Sequence, residues 1–161
     1  MAEHTPEHTI ESWEGSTFKA AAIGPFKNLD KYSYALPGSS ITVSGKLFLN
    51  ELLGLTGSEI SFNKLPPKQS MPFYHKHHKN EEVYIFLSGE GDFQIDDEVF
   101  PVKEGTVVRV HPDGERTWRN VSNSNDLTYI VIQAPAGQIE ATKTNDGVAL
   151  KKSVSWVNTV V

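Results

Sequence analysis

Histidines and carboxylates crowd one short stretch of this chain, FYHKHHKNEEVYIFLSGEG at residues 73–91. Three of the six histidines fall within four positions, and two glutamates follow. Side chains alternate along an extended segment, so His75 and His77 share a face and His78 points away. If this segment forms a hairpin with the strand that Glu82 opens, His77 and Glu82 lie almost opposite each other. Two imidazoles and one carboxylate then converge. That is the ligand set of a facial triad, which suits Fe, Mn, Ni or Zn as the divalent ion and leaves coordination positions open. HKHHKNEE alone also reads as a hydrophilic hairpin tip. The parity of the histidines, the placement of Glu82 and the apolar strand behind them favour a site.

Strands must hold these residues in place. EEVYIFL alternates, with Glu82, Tyr84 and Phe86 on one face and Val83, Ile85 and Leu87 on the other. GDFQI, VFPV, TVVRV, RTWRNV and LTYIVIQA are also short and rich in β-branched or aromatic residues. Turn signals separate them at Gly89–Gly91, Asp96–Glu98, Glu104–Gly105, HPDG (111–114) and SNSND (122–126). This rhythm predicts an all-β sandwich or barrel. Upstream, ITVSGKLFL reads as a strand pair or a bent strand, and NELLGL as one helical turn. Residues 1–12 read as a mobile arm, with His4 and His8 solvated, and 13–161 as a single domain. KKSVSWVNTVV could add an edge strand or pack on a partner.

Composition narrows the function classes. With 161 residues the chain can bury a core without staples. It has no cysteine, which excludes disulfides, thiolate metal sites and a cysteine nucleophile. Its net charge is -5 and its 15 Lys and Arg are scattered, which argues against nucleic acid or an anionic membrane as partner. No apolar run is long enough to span a bilayer, and the polar, acidic first residues show no leader, so a cytoplasmic location is expected. No GxSxG elbow, P-loop or GxGxxG before a helix is present.

The pattern resembles the cupin family. Its first motif runs HxH, three or four residues, Glu, six residues, Gly. Here that is His75-Lys76-His77, four residues, Glu82, six residues, Gly89. This spacing selects Glu82 over Glu81. The second motif runs Gly, five residues, Pro-x-Gly, two residues, His, three residues, Asn. It begins at Gly105 and ends at Asn120, but His111 replaces the proline, Asp113 the glycine and Arg116 the metal-binding histidine. The likeness covers about residues 60–134. It implies an antiparallel double-stranded β-helix, or jelly roll, with N- and C-terminal extensions, and a homodimer built through edge strands.

Arg116 decides the chemistry, because a guanidinium has no lone pair for a metal and repels one. Three arrangements are open. The ion sits on His75, His77 and Glu82 alone. Alternatively, His111 supplies a fourth ligand. In the third, the site is metal-free and Arg116 pairs with Glu82, leaving a pocket for an anion with Arg116 as clamp. By parity Trp118, Tyr84 and Phe86 could line the pocket, and Gln133 is a polar residue in an apolar strand, although core packing is the commoner role for the aromatics. The expectation is a small-molecule-binding cupin without an organic cofactor, either a metal-dependent oxygenase or isomerase of a small organic acid or sugar, or a non-catalytic sensor.

Overall fold

The computed structural model describes residues 10–139 and 146–156. Strands β1 (Glu11–Glu14) and β2 (Lys19–Ala22) pair with each other and lead into a 3-10 helix, Phe26–Lys31. A second small pair follows, β3 (Ser33–Ala35) with β4 (Thr42–Ser44). Then come β5 (Lys46–Phe48), one helical turn α1 (Asn50–Leu53) and β6 (Glu59–Leu65). The chain continues through β7 (Asn80–Ser88), β8 (Glu90–Ile95), β9 (Glu98–Lys103), β10 (Val107–Val110), β11 (Arg116–Asn120) and β12 (Leu127–Pro135). A five-stranded sheet in the order β10-β7-β12-β6-β5 faces a three-stranded sheet in the order β11-β8-β9, and every pairing is antiparallel. This is the all-β architecture that the strand rhythm predicts, in the jelly-roll form that the cupin resemblance implies.

The core follows from the alternation. Glu82, Tyr84 and Phe86 of β7 turn inward, as do Arg116, Trp118 and Asn120 of β11. Phe93, Val102, Val108, Val110, Leu127, Tyr129 and Val131 complete the packing between the sheets. A second apolar cluster covers the outer face of β5 and β6, where Leu29 and Tyr32 from the 3-10 helix region meet Leu47, Ile60 and Phe62. The N-terminal elements thus turn β5 and β6 into strands with both faces packed. Of the expected N-terminal arm, residues 1–9, with His4 and His8, lie outside the described residues. Glu11 and Ser12 already belong to β1. The described part of the C-terminal segment, 146–156, forms no strand.

Two glycines make the geometry possible. Gly45 separates β4 from β5 at φ 74°, and a Cβ there would collide with the carbonyl oxygen of Lys64. Gly89, at φ 86°, turns the chain from β7 into β8 with the backbone of Asp126 and Leu127 against it. Gly89→Ala combines a left-handed backbone with a steric collision. It is expected to cost roughly 1–3 kcal/mol, read as a lowered urea midpoint. An unchanged midpoint would mean this turn is free to relax.

One local expectation needs correcting. The histidine segment does not form a hairpin with β7, whose neighbours are β10 and β12. It runs beside β11 instead: His75 N–H donates to Arg116 O at 3.2 Å and Arg116 N–H to His75 O at 3.0 Å. His77 N–H donates to Pro112 O at 3.0 Å. The inward edge of β7 is reached across the barrel, and the imidazoles meet Glu82 through their side chains.

Candidate functional site

Glu82 is the centre of the site. Its carboxylate is buried and takes contacts on both oxygens. His77 Nε2 lies 3.0 Å from Oε1. Oε2 accepts from Tyr84 OH at 2.5 Å, Arg116 Nη2 at 2.5 Å and Arg116 Nε at 3.1 Å. His75 Nε2 stands 3.7 Å from Oε2, a longer approach than that of His77. Burial would push this carboxyl up; His75, Tyr84 and Arg116 outweigh it and hold Glu82 well below the usual carboxylate range. Tyr84 moves the other way: burial and then the Glu82 charge raise its phenol well above 10. Burial acts to lower the Arg116 guanidinium, but the Glu82 and Tyr84 hydrogen bonds and charge more than offset it, so its pKa rises.

Arg116 is 0 % exposed and stands behind Glu82, off the cavity wall. Its third nitrogen, Nη1, donates to Gly114 O at 2.9 Å. With all three nitrogens engaged by the protein, this arginine orients and neutralises Glu82. Three of its five N–H groups are taken by the protein, and since Arg116 does not line the cavity, the clamp role would require it to leave Glu82 and turn outward.

A cavity of about 500 Å³ opens in front of Glu82. His75, His77, Glu82, Tyr84, Trp118 and Gln133 all line it. Gln133 Oε1 accepts from Asn80 Nδ2 at 3.0 Å. Trp118 Nε1 donates to Tyr129 OH at 2.8 Å, and burial raises the Tyr129 phenol. Besides Arg116, two expected residues are elsewhere. Phe86 packs in the core against Phe93 and Tyr129 and does not reach the cavity. His111 sits on the exposed turn before β11, its side chain 60 % exposed and 3.5 Å from Asp113, so it supplies no fourth ligand.

Sequence reasoning missed Lys46. It lines the cavity from β5 and donates to Asn63 Oδ1 at 2.9 Å and Ser61 Oγ at 3.2 Å, with its Nζ 4.6 Å from the centre of the Phe48 ring. Burial pulls its ammonium down to about 8, with Glu82 and Glu59 countering in part. The available signal was the alternation in GKLFL and SFNKL, which puts Lys46 and Phe48 on one face of their strand and Ser61 and Asn63 on one face of theirs. The pairing Lys46↔Asn63 brings those polar residues together.

One ligand atom each from His75, His77 and Glu82 lies within 4.8 Å of the others, so the cluster could hold a metal ion. The fit is a three-ligand one. Glu82 Oε1 and the two imidazoles remain for the ion, while Arg116 and Tyr84 fix the other carboxylate oxygen as outer-shell partners. Two features weaken it. Arg116 cancels the charge that Glu82 would bring, and His75 Nδ1 is buried without the hydrogen bond that usually anchors a metal-ligating ring.

Comparison with known proteins agrees with this architecture. A family model described as a cupin domain matches residues 62–133. The crystal structure of a cupin protein from Bacteroides fragilis is 35% identical, with a TM-score of 0.62 over 73% of this chain and 97% of that one. A predicted oxalate decarboxylase from Thermotoga maritima is 25% identical, with a TM-score of 0.53 over 65% of this chain and 90% of that one. An uncharacterised protein from Methanocaldococcus jannaschii is 35% identical over 57 residues, which are 35% of this chain and 46% of that protein. The chain thus matches less than half the length of that curated relative. No helix among the described residues is long and apolar enough to cross a membrane. With the HxH–Glu–Gly spacing carried on the inner face of an antiparallel jelly roll, the chain belongs to the cupin family.

Proposed function

We propose that this cupin binds a small organic acid or sugar in the cavity before Glu82, with His75, His77 and Glu82 as its polar end. The observation that carries this reading is the cavity itself: a concave, largely apolar space with converging polar groups, within the size range of small-molecule sites. His75, His77 and Glu82 would hold a divalent ion there. When bound, such an ion supplies Lewis-acid or redox chemistry with open coordination positions for substrate. The protein's own part is to hold Glu82 ionised through Arg116 and Tyr84 and to present His77 Nε2 at Oε1. Trp118, Tyr84 and Tyr129 keep the surrounding wall largely apolar. The oxalate decarboxylase description belongs to the Thermotoga maritima protein, and it supports an acid as one candidate substrate class here.

The Arg116–Glu82 ion pair favours a second reading, a metal-free binding or sensor cupin that uses the same cavity. Elemental analysis of purified protein separates the two. Stoichiometric Fe, Mn, Ni or Zn that is lost in His75→Ala supports the metalloprotein. Protein without stoichiometric metal, even after incubation with each ion and desalting, supports the metal-free form. A homodimer and a cytoplasmic location remain part of the proposal, checked by light scattering and cell fractionation.

A further inference from the structure

Lys46 is the one cation on the cavity wall among the described residues, and it comes from a strand that carries none of the other polar groups discussed. Its partners are neutral: Ser61 Oγ, Asn63 Oδ1 and the face of Phe48. No carboxylate among the described residues comes within 4.0 Å of its Nζ. Of the acids on the same wall, Glu82 is already neutralised by Arg116, and Glu59 stands beyond ion-pair distance. A largely buried ammonium without a counter-charge is costly, and an apolar side chain of similar length would fill this place more stably.

We infer that Lys46 is the ligand-anchoring residue of the cavity, and that it fits a small monocarboxylate carried on an apolar, ring-sized body. A single ammonium with two neutral hydrogen-bond acceptors matches one negative charge, whereas a phosphate dianion would call for more donors than this wall offers. The aromatic surfaces of Phe48, Tyr84 and Trp118, which line the same cavity, suit the body of such a ligand. With the carboxylate on Lys46, the His77–Glu82 end is free to meet a hydroxyl or carbonyl elsewhere on the ligand. The inference rests on the cavity reading proposed above and names its ligand class.

Calorimetric titration of the wild-type protein and Lys46→Met with benzoate, phenylacetate and 3-phenylpropionate, each beside its primary amide, tests this. The wild type is expected to bind at least one acid about tenfold more tightly than its amide, the size of one charge-assisted hydrogen bond. In Lys46→Met that preference disappears, while amide affinity stays within about threefold and the melting temperature does not fall. Lys46→Gln serves in its place if the methionine variant does not fold. A preference that survives both substitutions, or a wild type that binds acid and amide equally, overturns the role of Lys46 and leaves the cavity reading standing. If no acid and no amide binds the wild type, the ligand class inferred here falls, and the cavity reading falls with it only when aliphatic acids and monosaccharides also fail to bind in the same calorimeter.

Discussion

Arg116→Met is expected to destabilise the protein by about 3–5 kcal/mol, the usual consequence of removing one partner of a buried ion pair. Arg116 is fully buried and supplies two of the donors on Glu82 Oε2. Without it the carboxylate keeps Tyr84 and the two imidazoles. Hydrogen bonds from Tyr84 and His77 do not replace the lost guanidinium charge at this buried position, so the loss is not fully repaired. The double variant Glu82→Gln/Arg116→Met should recover most of it, because it removes the orphaned charge along with its partner. Urea unfolding at pH 7 checks both. A loss under about 1 kcal/mol in the single variant would mean the pair behaves as a solvated surface bridge. The pH dependence has a definite sign. The folded state holds the Glu82 pKa below its ordinary 4.5, so the pair's contribution is complete above that value. It is lost as pH falls towards the depressed folded value. The stability gap between wild type and double variant should therefore change below about pH 4.5, in the direction that disfavours the wild type.

Arg116→His is expected to tighten binding of Ni(II) or Zn(II) by about 100-fold or more. Two changes act together. The substitution removes a guanidinium bonded to the same carboxylate an ion would use, and a unit charge at about 4 Å repels by roughly 4 kcal/mol even at an effective dielectric near 20. It also places a third imidazole on a backbone already bridged to His75. Because the new imidazole can still hydrogen-bond Glu82, this variant should be less destabilised than Arg116→Met. Competitive titration against a chromophoric chelator reads the affinity. Equal affinities in wild type and variant would show that Arg116 does not govern the metal site, and His75→Ala in the same assay shows whether the ion is bound at this cluster at all.

Much of the fold and half of the site can be read along the chain, for a local reason. Strand alternation has period 2, so the inward parity of Glu82, Tyr84 and Phe86, or of Arg116 and Trp118, follows from composition within a few residues. The histidine–glutamate spacing likewise names the three residues that converge. Parity stops short of depth along the barrel: Phe86 shares a face with Tyr84 yet lies in the packed core beyond the cavity. It also leaves open which strand becomes a neighbour, and here the histidine segment lies along β11, not β7.

The sequence alone thus determined an all-β sandwich or barrel and the cluster His75, His77 and Glu82, because both are encoded in short-range periodicity and spacing. The jelly-roll form came from the likeness of its motif to the cupins. Tertiary structure decided what Arg116 and Lys46 do. Glu82 and Arg116 meet across 34 residues of chain, and Lys46 reaches Asn63 across 17. Both meetings depend on sheet pairing, on the break at Gly45 and on how deeply each charge is buried. Long-range register sets those quantities, and no local pattern reports it.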